Sequence, residues 1–198
     1  MITTLLFDVD GVLLVGETWS KDLPAAYGIT DEMLAPFFKN AFPTCLIGKA
    51  DLKEELAPYL SRWNWPLSVD DFIDYWFRHY TLDQMLLQYV QQLRQNGIRC
   101  YLATQQERYR TDYILHTLGF ARQFDGMFSS VDIGYIKSEM LFFEAVLRSL
   151  NTCQPAEVLF WDDSSTNVAI ARSVGLQAEV YSNFAHFLVT MKERYVRD

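Results

Sequence analysis

Cysteine is scarce in this 198-residue chain: Cys45, Cys100 and Cys153 are the only three, widely spaced and in no paired-ligand pattern. An odd, scattered set argues against a disulfide framework or a cysteine zinc site, and reads as buried free thiols in a reducing compartment. Long apolar runs are missing too; a stretch such as Ile2–Phe7 falls far short of a membrane span. Met1 is followed at once by strand-forming residues with no basic leader or cleavage signal, so a cytoplasmic protein with no membrane partner is expected. Positive charge is thin: 17 Lys and Arg face 25 Asp and Glu, and no basic cluster offsets the net charge of −8. A nucleic-acid partner is therefore not expected. A small anionic substrate remains open, because a metal and a few donors reverse the field locally. With half its residues apolar and no low-complexity stretch, the chain can bury one good core and a small second lobe.

Three short, mostly apolar segments read as buried parallel strands: 3–7, 98–103 and 157–161. Each runs into a polar cluster: Asp8-Val9-Asp10-Gly11, Thr104-Gln105-Gln106 and Asp162-Asp163-Ser164-Ser165. Weaker strands are expected at 126–130 and 178–181. Between them lie amphipathic stretches. Residues 82–96 carry Leu82, Met85, Leu86, Tyr89, Val90 and Leu93 on one face, Gly97 as a stop, and Thr81 with Gln84 at capping-box spacing. Helices are also expected over 110–118, 137–150 and 167–174. This alternation is that of a doubly wound α/β sheet, in which ligands bind at the carboxyl ends of the strands.

From about Gly16 to Tyr80 the alternation stops, leaving only helical pieces over 31–40, 49–60 and 69–79 among Pro36, Pro43, Pro58 and Pro66, with Ser68 and Asp71 at capping spacing. The insert is several times longer than a crossover needs. The expected architecture is a Rossmann-like, doubly wound parallel sheet core from 1–15 and 81–198, with an inserted α-helical cap at 16–80 over the first polar cluster.

Asp8 and Asp10 are separated by one residue where the first strand leaves regular alternation, so both carboxylates can face one site, and Gly11 permits the turn. Taken alone, the segment is equally an Asp-rich turn. Asp162 and Asp163 bring two more carboxylates to the same sheet edge, although they too could cap a helix. Four uncompensated carboxylates repel one another, and a hard divalent cation such as Mg2+ resolves the conflict. Thr104 offers a hydroxyl before a helix, where free backbone N–H groups favour phosphate. Lys137 follows Gly134-Tyr135-Ile136 and begins a helix, a poor place for a cation unless it holds anions across the site.

This ordered set, Asp8-Val9-Asp10-Gly11-Val12-Leu13, Thr104, Lys137 and Phe160-Trp161-Asp162-Asp163-Ser164, resembles the four motifs of the haloacid dehalogenase-like (HAD) hydrolase superfamily, in order and across the whole chain. The insert resembles the small helical cap of one of its subfamilies. The resemblance implies a Mg2+-dependent phosphomonoester hydrolase. In it Asp8 attacks phosphorus, Asp10 serves as acid and then base, and Thr104 and Lys137 hold the phosphoryl oxygens. Asp8, the Asp10 carbonyl oxygen and Asp163 would bind the metal, with Asp162 acting through a water or on Lys137. Val12 stands where many family phosphatases carry Thr, no Asp follows Leu13-Leu14, and Gln105 replaces a common Asn. A phosphomutase shares Asp8 and Asp10; a dehalogenase needs neither Asp10 nor a metal; an idle binding protein would leave motif positions unfilled.

By analogy with that fold, Glu17, Trp19, Gly48, Lys49 and Gln105 are candidate substrate contacts. The dense aromatics Trp63, Trp65, Phe72, Tyr75, Trp76, Phe77 and Tyr80 read as the cap interior rather than a ligand cage. His79, His116 and His186 show no partner spacing. The expected partner is a small phosphorylated metabolite, with the chain a monomer or homodimer.

Overall fold

The computed structural model describes residues 1–16, 18–150 and 154–195, so Glu17 and Cys153 lie outside the described residues. Seven strands occur among them: β1 (Thr4–Phe7), β2 (Leu14–Val15), β3 (Thr81–Leu82), β4 (Arg99–Thr104), β5 (Met127–Ser129), β6 (Val158–Asp162) and β7 (Gln177–Val180). Five form one sheet in the order β5-β4-β1-β6-β7, and every neighbouring pair runs parallel. β1 lies at the centre and is buried along its whole length, as its unbroken Leu-Leu-Phe run requires.

Strand alternation divides the core into two layers. Leu5, Phe7, Leu102, Leu159 and Trp161 pack on one face with Leu86, Val90 and Phe187 of helices Gln84–Gln95 and Phe184–Thr190. Leu6, Ala103, Val158 and Phe160 pack on the other with Phe142, Val146 and Val168 of helices Met140–Leu150 and Ser165–Ser173. Helices on both faces of a parallel sheet make this the doubly wound α/β class.

Several helix starts differ from the sequence expectation. Asp83, not Thr81, caps Gln84–Gln95 by accepting from Leu86 N–H at 3.0 Å, because Thr81 is taken into β3. Met85 then faces solvent rather than the core. The helix expected from Lys137 begins at Met140, leaving Lys137 in the preceding turn. The helix expected over 110–118 starts earlier, as Arg108–Asp112, and widens into an i→i+5 turn over Tyr113–Thr117.

The segment between β2 and β3 is helical, with pieces that include Leu23–Tyr27, Asp31–Pro36, Phe42–Leu46, Leu52–Arg62 and Val69–Arg78. It builds its own apolar cluster around Phe37, Leu56, Trp63, Trp65, Phe72 and Phe77. The Ser68–Asp71 capping box forms at the start of Val69–Arg78, whereas Pro58 sits inside Leu52–Arg62 without ending it. β2 and β3 pair antiparallel, Leu14 opposite Leu82 and Val15 opposite Thr81, so the lobe leaves and rejoins the core at one place. Further contacts hold it over the sheet edge. The Tyr109 hydroxyl donates to Asp51 at 2.7 Å, and Arg110 donates to the Phe77 carbonyl at 2.7 Å.

Candidate active site

In-register parallel pairing converts three separate strand ends into one site. Phe7 lies opposite both Leu102 and Trp161, so the residue after Phe7 emerges beside the ends of β4 and β6. Asp8 N–H donates to the Trp161 carbonyl at 2.9 Å, which fixes Asp8 next to Asp162. Beyond Asp8 the chain turns tightly, with the Leu13 and Leu14 N–H groups both donating to the Val9 carbonyl. Gly11 holds φ +80° in that turn, and a Cβ there would lie 2.1 Å from Asp163 Oδ2. Glycine is therefore required twice over, for the backbone angle and to let Asp163 approach the β1 loop.

The floor of the site is a chain of buried charges. Lys137 Nζ lies 2.6 Å from Asp8 Oδ1 and 2.7 Å from Asp162 Oδ2, and these three residues are 3%, 6% and 0% exposed. Asp162 also accepts from Ser164 N–H at 2.8 Å and from Asn167 Nδ2 at 3.1 Å. Both its oxygens are thus occupied, and its evident work is to hold Lys137. Burial alone would push the Lys137 ammonium down, but its two carboxylate neighbours outweigh burial and hold it above its ordinary value. Burial lifts Asp8 above the usual carboxylate range, opposed by Lys137 and reinforced by Asp162. Asp163 is raised as well, first by burial and then by Asp162.

One oxygen each from Asp8, Asp162 and Asp163 lies within 4.8 Å of the others. Among the described residues, Lys137 is the cation that the floor sets against these three carboxylates. The donor set is entirely oxygen and electron-rich, which suits a hard divalent cation. Ser164 takes over the capping of helix Ser165–Ser173, accepting from Asn167 N–H at 3.4 Å, and this leaves the Asp163 carboxylate free to face the site.

Thr104 ends β4, fully buried, with its hydroxyl accepting from Gln106 Nε2 at 3.3 Å. Asp10 is exposed, as Asp163 is, and carries two donors: Gln106 Nε2 at 2.6 Å and Arg110 at 3.2 Å. Two cavities meet at Asp10. One, of about 320 Å3, is walled by Asp8, Thr104, Lys137, Asp163 and Asn167. The other, of about 390 Å3, runs from Asp10 up to the helical lobe and is lined by Trp19, Phe42, Trp76 and Tyr80.

Of the candidate substrate contacts, Gln105 and Trp19 line this upper cavity; Gly48 and Lys49 do not. Gly48 instead abuts the core, where a Cβ would meet the Val131 carbonyl at 2.8 Å. Sequence reasoning missed Arg110, Gln106 and Glu107. Arg110 is held against the rings of Phe77, Tyr80 and Tyr113 at 5.0–5.7 Å, and Glu107 caps its helix by accepting from Tyr109 and Arg110 N–H at 2.7 and 2.6 Å. Only the place of these residues just after Thr104 could have flagged them. His79 lines the upper cavity with one ring nitrogen 2.5 Å from the Tyr75 carbonyl, while His116 and His186 are exposed. Cys45 and Cys100 are buried free thiols, raised by burial to about 11 and about 12. Among the described residues, no helix is long and apolar enough to cross a membrane.

The sequence model of the haloacid dehalogenase-like hydrolases matches residues 2–175. Solved structures resemble the fold over nearly its whole length. A HAD family enzyme of Bacteroides thetaiotaomicron, in complex with magnesium and inorganic phosphate, is similar with a TM-score of 0.78 at 18% identity, covering 94% of this chain and 99% of its own. A HAD-like family hydrolase of Porphyromonas gingivalis gives 0.80 at 22% identity, with 98% and 100% covered. The L-2-haloacid dehalogenase of Xanthobacter autotrophicus, with chloropropionic acid covalently bound, gives 0.67 at 18% identity, with 100% and 85% covered.

Proposed function

The chain belongs to the haloacid dehalogenase-like hydrolases, and from that premise we propose that it is a magnesium-dependent phosphomonoester hydrolase of the cytoplasm acting on a small phosphorylated metabolite. The observation that carries this reading is the floor itself: Asp8 at a central strand end, bonded to Lys137 and gathered with Asp162 and Asp163 into one oxygen cluster. A dehalogenase would also use the first-motif Asp8 but needs neither an Asp10-type acid nor a metal, so Asp10 and Asp163 count against it.

Asp8 keeps one oxygen on Lys137 and Val9 N–H, at 2.6 and 2.7 Å, and its other oxygen is the nucleophile. Attack on phosphorus forms an aspartyl-phosphate and releases the alcohol, and water then cleaves the acyl phosphate and regenerates Asp8. Lys137 and Thr104 flank the position of the phosphoryl oxygens and bind the charge that spreads over them in each transition state. Asp10 stands where the two cavities meet, between phosphoryl group and alcohol. It protonates the leaving oxygen in the first half and takes a proton from water in the second. Gln106 and Arg110 donate to its two oxygens and hold the carboxyl at that junction.

Asp8, Asp163 and the Asp10 carbonyl would hold Mg2+, whose charge neutralises the carboxylate excess and lowers the repulsion between Asp8 and an incoming phosphate dianion. Asp162 acts through Lys137. Residues 1–15 and 81–198 form the catalytic core, and 16–80 form the cap that covers the leaving group. The test is turnover of p-nitrophenyl phosphate by wild-type protein with Mg2+, with excess chelator, and after Mg2+ is restored. Activity should vanish and return; full activity in chelator sinks the reading.

A further inference from the structure

The upper cavity differs in kind from the lower one, and its chemistry restricts the leaving group. Trp19, Phe42, Trp76 and Tyr80 are only half-buried, whereas Phe37 and Phe72 behind them are buried. The exposed faces are those turned to the cavity: Trp76 packs 5.2 Å from Trp19 and 5.3 Å from Phe42, ring centre to ring centre, and all three line it. Several large rings left half-wet around one space form an apolar surface that gains by being covered.

The polar groups in the same wall are largely engaged already. Glu107 accepts two backbone N–H bonds. Gln106 is bound to Asp10 and Thr104, and Arg110 to Asp10 and the Phe77 carbonyl. Thr18, Gln105, one His79 nitrogen, the Trp19 and Trp76 indole N–H groups and the remaining Arg110 N–H donors are left to meet a ligand's polar groups. A sugar or polyol would set part of its hydroxyls against ring faces, and each hydroxyl left unpaired there weakens binding. A flat apolar ring makes no such demand and gains edge and face contacts with the wall. At about 390 Å3 the cavity falls within the usual range for a small ligand.

We infer that the substrates are phosphate monoesters of alcohols that carry an aromatic ring, with the ring seated among Trp19, Phe42, Trp76 and Tyr80 and the ester oxygen at Asp10. The inference rests on the phosphohydrolase reading, and the experiment separates the two. kcat/KM is measured for 2-phenylethyl and 2-(2-naphthyl)ethyl phosphates against glycerol 3-phosphate and glucose 6-phosphate, all esters of primary alcohols of similar reactivity. Binding of 2-(2-naphthyl)ethanol to wild-type and Trp76→Ala protein is followed in parallel by tryptophan fluorescence, with no catalysis required.

The ring-bearing esters should exceed the polyol esters by about tenfold or more, and Trp76→Ala should lower the ring-bearing esters by about tenfold more than the polyol esters. The naphthyl alcohol should quench the wild-type signal and bind the variant at least about tenfold more weakly. Equal or better turnover of the sugar or glycerol esters, dependent on Asp8, overturns the inference and leaves the phosphohydrolase standing. Absence of any Asp8-dependent phosphate release overturns the phosphohydrolase. In that case the fluorescence titration judges the cavity alone, and no binding of the naphthyl alcohol rejects it.

Discussion

The floor of the site and the wall above it are built on opposite principles. The charges at the centre of the floor are buried and already paired: Lys137 to Asp8 and Asp162, and Asp162 to Ser164 and Asn167. The wall presents ring faces that are half-exposed and without partners on the cavity side. A phosphoryl group is the same in every ester, so its cradle can be completed in advance and held rigid. The alcohol varies, and its receptor remains an apolar surface completed only by the ligand. The contrast predicts that floor substitutions act on all substrates and on stability, whereas wall substitutions act on substrate preference.

The hardest break is Asp8→Asn, which keeps the shape of the floor and removes the nucleophile. Turnover of p-nitrophenyl phosphate should fall by about 10^4 or more, to background, with the far-ultraviolet circular dichroism unchanged. Near-normal turnover would show that the floor is not the reactive half.

Next comes Lys137→Met, which leaves Asp8 and Asp162 buried beside each other without their shared cation. Removing one member of such a buried arrangement destabilises by about 3 kcal/mol. Urea unfolding in chelator should show this loss, and Mg2+ should restore part of it. An unchanged midpoint would mean that the floor is not held by these pairs.

Gly11→Ala tests how finely the floor is fitted. The added methyl meets Asp163 at the one point where the β1 loop and the end of β6 nearly touch. Asp163 must move, and the Mg2+ concentration for half-maximal activity should rise by about tenfold to a hundredfold. An unchanged Mg2+ requirement would remove Asp163 from the metal site.

The smallest expected effect is at Glu107, under the wall. Burial pushes its carboxyl up from about 4.5 to about 7 despite two backbone donors. A carboxyl whose pKa is raised by folding favours the folded state most below its unfolded value, and that contribution is lost as pH climbs through the folded value. Stability should therefore decline between about pH 5 and about pH 8, and Glu107→Gln should flatten the decline by on the order of 2 kcal/mol. Parallel wild-type and variant pH profiles would show that Glu107 is not the group responsible.

The floor was more legible in the sequence than the wall, for a physical reason. A central parallel strand is apolar on both faces, so Thr4–Phe7, Arg99–Thr104 and Val158–Asp162 stand out as short runs that stop abruptly in polar residues. Once the strands are parallel and in register, adjacency of Asp8, Thr104 and Asp162 follows from chain order alone. The wall has no such rule. Trp63, Trp65, Phe72, Trp76 and Tyr80 look alike in the sequence, and only the packing of Val69–Arg78 against its neighbours turns Phe72 inward and leaves Trp76 half open. Arg110 was equally hidden: its role depends on the Phe77 carbonyl, 33 residues earlier, arriving beside it. β2 and β3 were missed because two-residue strands leave no alternation to detect.

That small ribbon has a consequence of its own. Because Leu14 lies opposite Leu82 and Asp83 N–H bonds to the Leu13 carbonyl at 2.9 Å, the chain on either side of the lobe is already joined across a gap that a tight turn could bridge. The lobe is grafted onto the core at a single seam rather than woven through it. The strand ends that carry Asp8, Thr104 and Asp162 do not depend on the length of what hangs from that seam. Under the proposed function, the reactive half is thereby one unit and the receptor for the alcohol a separable part.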